Sequence, residues 1–282
     1  MGGIDLHIHT TVSDGRFTPE EIVARAANLG LTTIAIADHD SVDGVAPALA
    51  AASAFPGLRV IPNVEISTDT AEGEVHMLGY FIDHTDAGLR EALERFRESR
   101  QRRAQGMIAR LRDLGVHVEW SRVQELAGAG SVGRPHLAQA MLEKGYINSF
   151  REAFDKYIAR NGPAYVERDK MTPAEAVALV LRAGGLPVMA HPFTVSEPEK
   201  LIAGLKTVGL AGIETYYKDY TPEQVAGLAA LADKYGLLTG GGSDFHGLSD
   251  DEVMMGDIAM PPAALERIID LARERGLKLA GL

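Results

Sequence analysis

Six of the nine histidines in this 282-residue chain stand in short motifs at the ends of segments that read as β-strands, with acidic residues beside them. In chain order these are His7 and His9 followed by Asp14, then Asp38-His39-Asp40, Glu65, His76, His191-Pro192 and Asp244-Phe245-His246. Imidazole suits zinc, manganese, iron and nickel, while carboxylate oxygens favour harder divalent ions and bridge two of them. His7 and His9 are two residues apart, which on a strand places both on one face. A histidine pair in a strand is commonly structural. A joint set gathered where neighbouring loops meet is another matter, because buried charges are costly unless a cation compensates them. The nine candidate ligands His7, His9, Asp14, His39, Glu65, His76, His191, Asp244 and His246 are too many for one ion and suit two or three. The chemistry such a set supports is hydrolysis at a multinuclear centre.

The elements that must position these residues alternate. Residues 4–9 are short and apolar, and Thr18-Pro19-Glu20-Glu21 is a helix start with an N-cap threonine, proline at the first helical position and a capping-box glutamate. Residues 33–37 are a β-branched strand delivering Asp38 and His39, and 59–67 and 74–82 read as two further strands carrying Glu65 and His76. Thr172-Pro173-Ala174-Glu175 and Thr221-Pro222-Glu223-Gln224 repeat the helix-start grammar, around strands at 186–190, 210–215 and 237–242. Repeated βα units imply a parallel sheet, closed or open. In a βα barrel the C-terminal strand ends form one face, and the motif residues would converge there.

The pattern changes between these halves. Residues 89–114 are charged, helical in period and free of proline, and helical segments follow near 120–127, 135–144 and 149–160. The organisation expected is an α/β barrel in two parts, 1–88 and 167–282, separated by a helical insertion at 89–166 that caps the substrate site.

A net charge of −11 argues against a general nucleic-acid-coating protein, although bound cations and local arginines can still set the field of a cleft for a nucleotide. Without cysteine there is neither a disulfide nor a thiolate ligand nor a cysteine nucleophile. With no signal-like start and no long uncharged apolar run, the expectation is a soluble cytoplasmic protein without a membrane partner. No obligate protein partner is legible.

The motifs Asp5-Leu6-His7-Ile8-His9-Thr10 with Ser13-Asp14-Gly15, Ala37-Asp38-His39-Asp40, His191-Pro192 and Ser243-Asp244-Phe245-His246 resemble the four signature motifs of the PHP (polymerase and histidinol phosphatase) superfamily. Further traits are Asn63-Val64-Glu65-Ile66-Ser67, His76-Met77-Leu78-Gly79-Tyr80, the arginine-rich helix, Gly133-Arg134-Pro135-His136 and Gly162-Pro163-Ala164-Tyr165-Val166. With these the chain is most similar to the branch of bacterial nucleoside 3′,5′-bisphosphate phosphatases and a related 5′-to-3′ exoribonuclease. The resemblance implies a distorted (β/α)7 TIM-like barrel with a helical insertion and a centre of three divalent ions, manganese first, with zinc or iron as alternatives. It further implies that His7, His9, Glu65 and Asp244 surround one ion. Glu65 would bridge to a second held by His76 and His191, and Asp14, His39 and His246 would hold a third.

Closely spaced divalent ions lower the pKa of a shared water and clamp phosphoryl oxygens, so the expected nucleophile is a metal-bridging hydroxide. Asp38 and Asp40 are candidates to orient imidazoles or accept protons, with a turn cap as the plain alternative for Asp40. Arg134 and His136, near a helix start, are expected to contact a phosphate, and Arg103 with Arg100 behind it to hold a second one. Tyr165 and Phe193 are candidates to stack on a base, with core packing as the alternative. The expected substrate is a nucleoside 3′,5′-bisphosphate such as pAp, hydrolysed to AMP and phosphate, or short 5′-phosphorylated RNA. A histidinol phosphatase or a noncatalytic metal-stabilised module are the alternatives. C–N hydrolysis would call for a metal-bridging lysine, a place that neither Lys170 nor Lys218 obviously fills.

Overall fold

Strands β1 (Ile4–Ile8), β2 (Thr33–Ile36) and β3 (Arg59–Pro62) form a parallel sheet in that order. A second sheet runs β4 (Glu65–Asp69), β5 (Glu74–Tyr80), β6 (Leu186–Met189), β7 (Gly212–Tyr217) and β8 (Leu238–Gly242). These come from a computed structural model that describes residues 3–71, 73–128, 132–167, 171–248 and 252–279. Single parallel bridges join the two sheets at both seams, Ile8 with Phe245 and His39 with Glu65. With β3 and β4 counted as the two parts of one interrupted strand, the result is a distorted (β/α)7 barrel whose two sheets are joined by single bridges rather than laddered throughout.

Two features depart from the strands read in the sequence. The segment 59–67 is broken into β3 and β4 at Pro62-Asn63-Val64. Pro62 has no N–H to donate, and the buried Asn63 amide substitutes for ladder bonds. Its Oδ1 accepts from the Val64 and Gly79 N–H groups at 2.8 and 2.9 Å, and its Nδ2 donates to Leu6 O at 3.3 Å. The sheet is also not wholly parallel, because β5 is antiparallel to both β4 and β6. Only residues 70–73 separate β4 from β5, a hairpin length too short for a parallel crossover.

Ten α-helices occur among the described residues: α1 (Pro19–Asn28), α2 (Val45–Ala52), α3 (Ala87–Asp113), α4 (Trp120–Ala127), α5 (Arg134–Glu143), α6 (Phe150–Ala153), α7 (Pro173–Arg182), α8 (Pro198–Thr207), α9 (Pro222–Tyr235) and α10 (Pro262–Glu274). The three Thr-Pro starts are capping boxes: Thr18, Thr172 and Thr221 each accept from the N3 backbone, while Glu21, Glu175 and Gln224 reach back. Alternation along β2 divides its side chains. Ile34 and Ile36 pack with Ile22 and Val23 of α1, whereas Ala35 and Ala37 join the core of Leu6, Leu78, Val188 and the α10 residues Leu265 and Ile268.

The chain divides into two compact units, Met1–Ala92 with Lys170–Leu282, and Leu93–Asp169. The division falls inside α3, where a continuous helix offers no punctuation for a sequence reading to find. The second unit is helical and has a core of its own, with Met107, Leu111, Val123, Leu137, Met141 and Ile158 buried together. Its last element is a π-helical turn at Phe154–Ile158. No helix among the described residues is long and apolar enough to cross a membrane.

Candidate metal centre

Glu65, the first residue of β4, sits at the middle of five imidazoles. Its Oε2 lies 3.3 Å from His7 Nε2, 3.2 Å from His9 Nε2 and 3.0 Å from His39 Nδ1. Its Oε1 lies 2.9 Å from His76 Nδ1 and 3.0 Å from His191 Nε2. Asp244 Oδ1 stands 3.0 Å from His9 Nε2 and 3.5 Å from His7 Nε2. Asp14 closes the other side, with Oδ1 3.4 Å from His246 Nε2 and Oδ2 3.8 Å from His39 Nε2. All nine residues singled out in the sequence are thus brought together.

The strand ends explain the convergence, with one correction. His9, Asp14, His39, His191, Asp244 and His246 follow the C-terminal ends of parallel strands, as a βα barrel requires. Glu65 and His76 reach the same rim from strand starts. Glu65 opens β4, where it bridges to His39, and β5 runs antiparallel, so its beginning lies at that rim. Asp40, His191 and Asp244 adopt positive φ values of 50°, 28° and 51°, a backbone region costly for residues with a Cβ.

The donor set fits divalent ions. His7 Nε2, His9 Nε2, His39 Nδ1, Asp14 Oδ1 and Glu65 Oε2 are buried and make no hydrogen bond. Leaving such atoms unsatisfied costs about 1–3 kcal/mol each, which a cation shared among them would offset. Among the described residues, three groups have ligand atoms within 4.8 Å of one another: His7, His9, Glu65 and Asp244; His39, Glu65 and His76; and His9, Asp14, His39 and His246. The first is the set anticipated for one ion. In the others His39 accompanies Glu65 and His76, and His9 joins Asp14, while His191 stands in none of the three and meets the cluster at Glu65 and by ring contacts with His76 and His7.

The electrostatics agree with a site built for cations. Burial by itself would raise the Glu65 carboxyl, but His39, His76 and His7 outweigh it and hold it well below the usual carboxylate range. Asp244 and Asp14 are depressed by the same balance, through His7 and His246 for one and His39 and His246 for the other. Burial opposes charge on His9 and His76 too, yet the carboxylates lift both to about 10, while burial takes His39 down to about 4.

Outer residues fix the inner ones. Glu214 Oε1 takes His7 Nδ1 at 3.0 Å and its Oε2 accepts the His191 N–H at 2.8 Å. Asp38 accepts from Thr10 N, Thr10 Oγ1 and Ser13 Oγ at 2.8, 2.8 and 2.7 Å, and Ser13 Oγ is in turn 3.4 Å from His9 Nδ1. Asp40 accepts the Ser67 N–H at 2.9 Å, tying the loop after β2 to β4. Asp5 accepts from Ser243 N and Oγ at 3.0 and 2.6 Å, anchoring the residue before Asp244.

Sequence reading missed Glu214 and Tyr217, and gave Asp5 no role beyond its place in the first motif. A lone glutamate inside the strand Ile213-Glu214-Thr215-Tyr216 was a usable signal, because a buried carboxylate in a strand needs partners. Lys218, set aside in the sequence, does reach the site. Its Nζ donates to Asp244 O at 2.9 Å and lies 3.2 Å from Asp244 Oδ2. Lys170 lies outside the described residues.

Within the helical unit, His136 caps α5 by accepting the Gly133 N–H on Nδ1 at 3.0 Å, and the Arg134 guanidinium stands 5.5 Å from the Phe154 ring centroid. Of the arginine run, Arg100 and Arg103 are buried and Arg102 is 60 % exposed. Tyr165 packs against the helical core, and Phe193 is exposed.

A barrel rim that gathers imidazoles around shared carboxylates suits a metal-dependent hydrolase. The chain belongs to the PHP domain family, whose model matches residues 5–167. It is 33 % identical over 256 residues to a 3′,5′-nucleoside bisphosphate phosphatase of Chromobacterium violaceum, covering 87 % of this chain and 88 % of that one. It is 36 % identical over 247 residues to the 5′–3′ exoribonuclease Rnm of Escherichia coli, covering 86 % and 84 %. A solved structure from Bifidobacterium adolescentis, assigned to the metal-dependent phosphoesterases, superposes with a TM-score of 0.86 at 29 % identity over 100 % of this chain and 99 % of the other.

Proposed function

We propose that this PHP phosphoesterase removes the 3′-phosphate from nucleoside 3′,5′-bisphosphates, converting pAp to AMP and phosphate, and acts in the cytoplasm. The observation that carries the reading is the divided use of Glu65, one oxygen facing His7, His9 and His39 and the other facing His76 and His191. A carboxylate so placed suits bridging between ions, and the reading is of three, manganese before zinc or iron. His7, His9, Glu65 and Asp244 would hold one, Glu65 with His76 and His191 a second, and Asp14, His39 and His246 a third. Divalent ions in such a site neutralise phosphoryl oxygens and bring a water's pKa towards neutrality.

The chain's own residues then hold this arrangement. Glu214 and Asp38 keep His7 and the Thr10–Ser13 loop in place, with Asp38 and Asp40 outside the ligand set. Arg134, His136, Arg103 and Arg100 are proposed to recognise the substrate's phosphates. Donor chemistry supports this, since a guanidinium grips phosphate through two parallel N–H bonds. The helical unit carrying them, read as 89–166 between barrel segments 1–88 and 167–282, is proposed as the substrate cap.

A second reading, removal of 5′-nucleotides from short 5′-phosphorylated RNA, is favoured by the similarity to the exoribonuclease. The test is phosphate release by the manganese-loaded protein from pAp, histidinol phosphate and a 5′-phosphorylated oligoribonucleotide, before and after chelation. Chelator-sensitive turnover of pAp well above histidinol phosphate is expected. Turnover of the oligonucleotide alone would move the assignment to the exonuclease. Loss of stability on chelation with no turnover of any substrate would leave a noncatalytic module.

A further inference from the structure

Four aromatic rings lead outward from the ligand cluster. The chain starts at His191, whose Nε2 is 3.0 Å from Glu65 Oε1. The His191 and Tyr217 ring centroids are 5.5 Å apart, Tyr217 and Tyr220 are 5.2 Å apart, and Tyr220 and Phe193 are 5.1 Å apart. The two tyrosines are fixed by their hydroxyls. Tyr217 Oη donates to Asp244 Oδ2 at 2.7 Å, and Tyr220 Oη accepts the Phe193 N–H at 3.3 Å.

Phe193 ends the series with 41 % of its surface exposed. It belongs to the short turn Pro192–Thr194, directly after His191 with its φ of 28°. The Phe193 and Tyr220 rings meet at 73°. In an edge-to-face pair, whichever ring offers its edge, at least one face of Phe193 is left uncovered by Tyr220. Exposed apolar residues taken singly need no explanation. This one is different because it terminates a ring series that starts beside Glu65 and is held rigid by hydrogen bonds at two points.

We propose that Phe193, backed by Tyr220, is a stacking platform for the base of a nucleotide whose phosphate lies at the His/Asp/Glu cluster. The inference rests on the nucleotide reading of the function and adds the subsite. Because every base has a π-face, such a platform holds purines and pyrimidines alike and favours nucleotides over base-free sugar phosphates.

Calorimetric binding of AMP and of ribose 5-phosphate to the manganese-loaded protein tests this, for the wild type and for Phe193→Ala and Phe193→Trp. The expected result is a wild-type preference for AMP that falls about tenfold in Phe193→Ala and returns in Phe193→Trp, with ribose 5-phosphate binding alike in all three. Equal wild-type affinity for the two ligands, or a preference that survives in Phe193→Ala, would overturn the platform. Absence of bisphosphate hydrolysis together with an intact, Phe193-dependent preference would instead sink the reaction assigned above and leave the subsite standing.

Discussion

Glu214 and His7 face each other at 3.0 Å, carboxylate oxygen to Nδ1, with both side chains wholly buried. A carboxylate only accepts, so the pairing keeps a proton on His7 Nδ1 and leaves Nε2, which faces Glu65 and Asp244, as the atom that would lose its proton to coordinate a cation. The other Glu214 oxygen holds the backbone of His191, so one side chain from β7 sets two members of the cluster.

Replacing Glu214 with Gln leaves one acceptor oxygen for two donors, so either His7 Nδ1–H or the His191 N–H meets an amide NH2 instead, without emptying the space. Metal affinity is expected to fall roughly 10–100-fold with the fold retained. Manganese titration followed by metal analysis, alongside circular dichroism, measures both. Unchanged affinity in a folded Glu214→Gln protein would show that the contact is packing only.

Protons compete with metal at this centre. In the metal-free chain Asp244 and Glu65 lift His9, and Glu65 lifts His76, each to about 10 against the opposing effect of burial. Both imidazoles are then protonated near neutrality, yet only a neutral imidazole coordinates. Binding must release protons, so manganese affinity should rise as pH increases from about 6 to about 9. Titration calorimetry in buffers of different ionisation enthalpy gives the number of protons released, and a value of zero would contradict the assignment.

Asp38 holds the turn after β1 through Thr10 and Ser13. Asp38→Ala leaves two hydroxyls and one N–H in that turn without their acceptor, and a loss of about 2–4 kcal/mol is expected in urea unfolding of the metal-free protein. Asp38→Asn, which keeps one acceptor oxygen, should lose less. Equal stability of all three proteins would mean that solvent satisfies the turn.

Gly242 lets β8 approach β1 at the seam. A Cβ there would lie 2.5 Å from both His7 N and His7 Cβ and 2.8 Å from Asp5 Oδ1. Gly242→Ala must push β1 and β8 apart, at a cost of roughly 1–3 kcal/mol or more, and displace His7 with them. Thermal melts with and without manganese should show a lower Tm and a smaller stabilisation by metal. A melt matching the wild type in both conditions would place the seam elsewhere.

Much of this protein was legible in its residues. The three Thr-Pro helix starts are local chemistry: a hydroxyl, a fixed φ and a side chain three residues on make the cap wherever they occur. The convergence of the nine histidine and carboxylate positions was legible because they recur together at the ends of successive strands, where buried charges are costly without a compensating cation. The α/β class followed from alternation, as period 2 and period 3.6 interleave along the chain, while the distorted (β/α)7 barrel was what the resemblance to the PHP superfamily implied.

What tertiary structure alone decided was the partnering. Glu214 reads as an ordinary strand residue and Asp5 as a motif residue without a role, since what they do arises from contact with His7, His191 and Ser243, residues remote from Glu214 or, for Ser243, from Asp5. The antiparallel sense of β5 and the break at Asn63 depend on which backbone groups lie alongside, which periodicity does not encode. The grouping of ligands was undetermined for the same reason: His39 and His9 each stand in two groups, because a histidine's type is written in the chain but its neighbours are set by how the strands close.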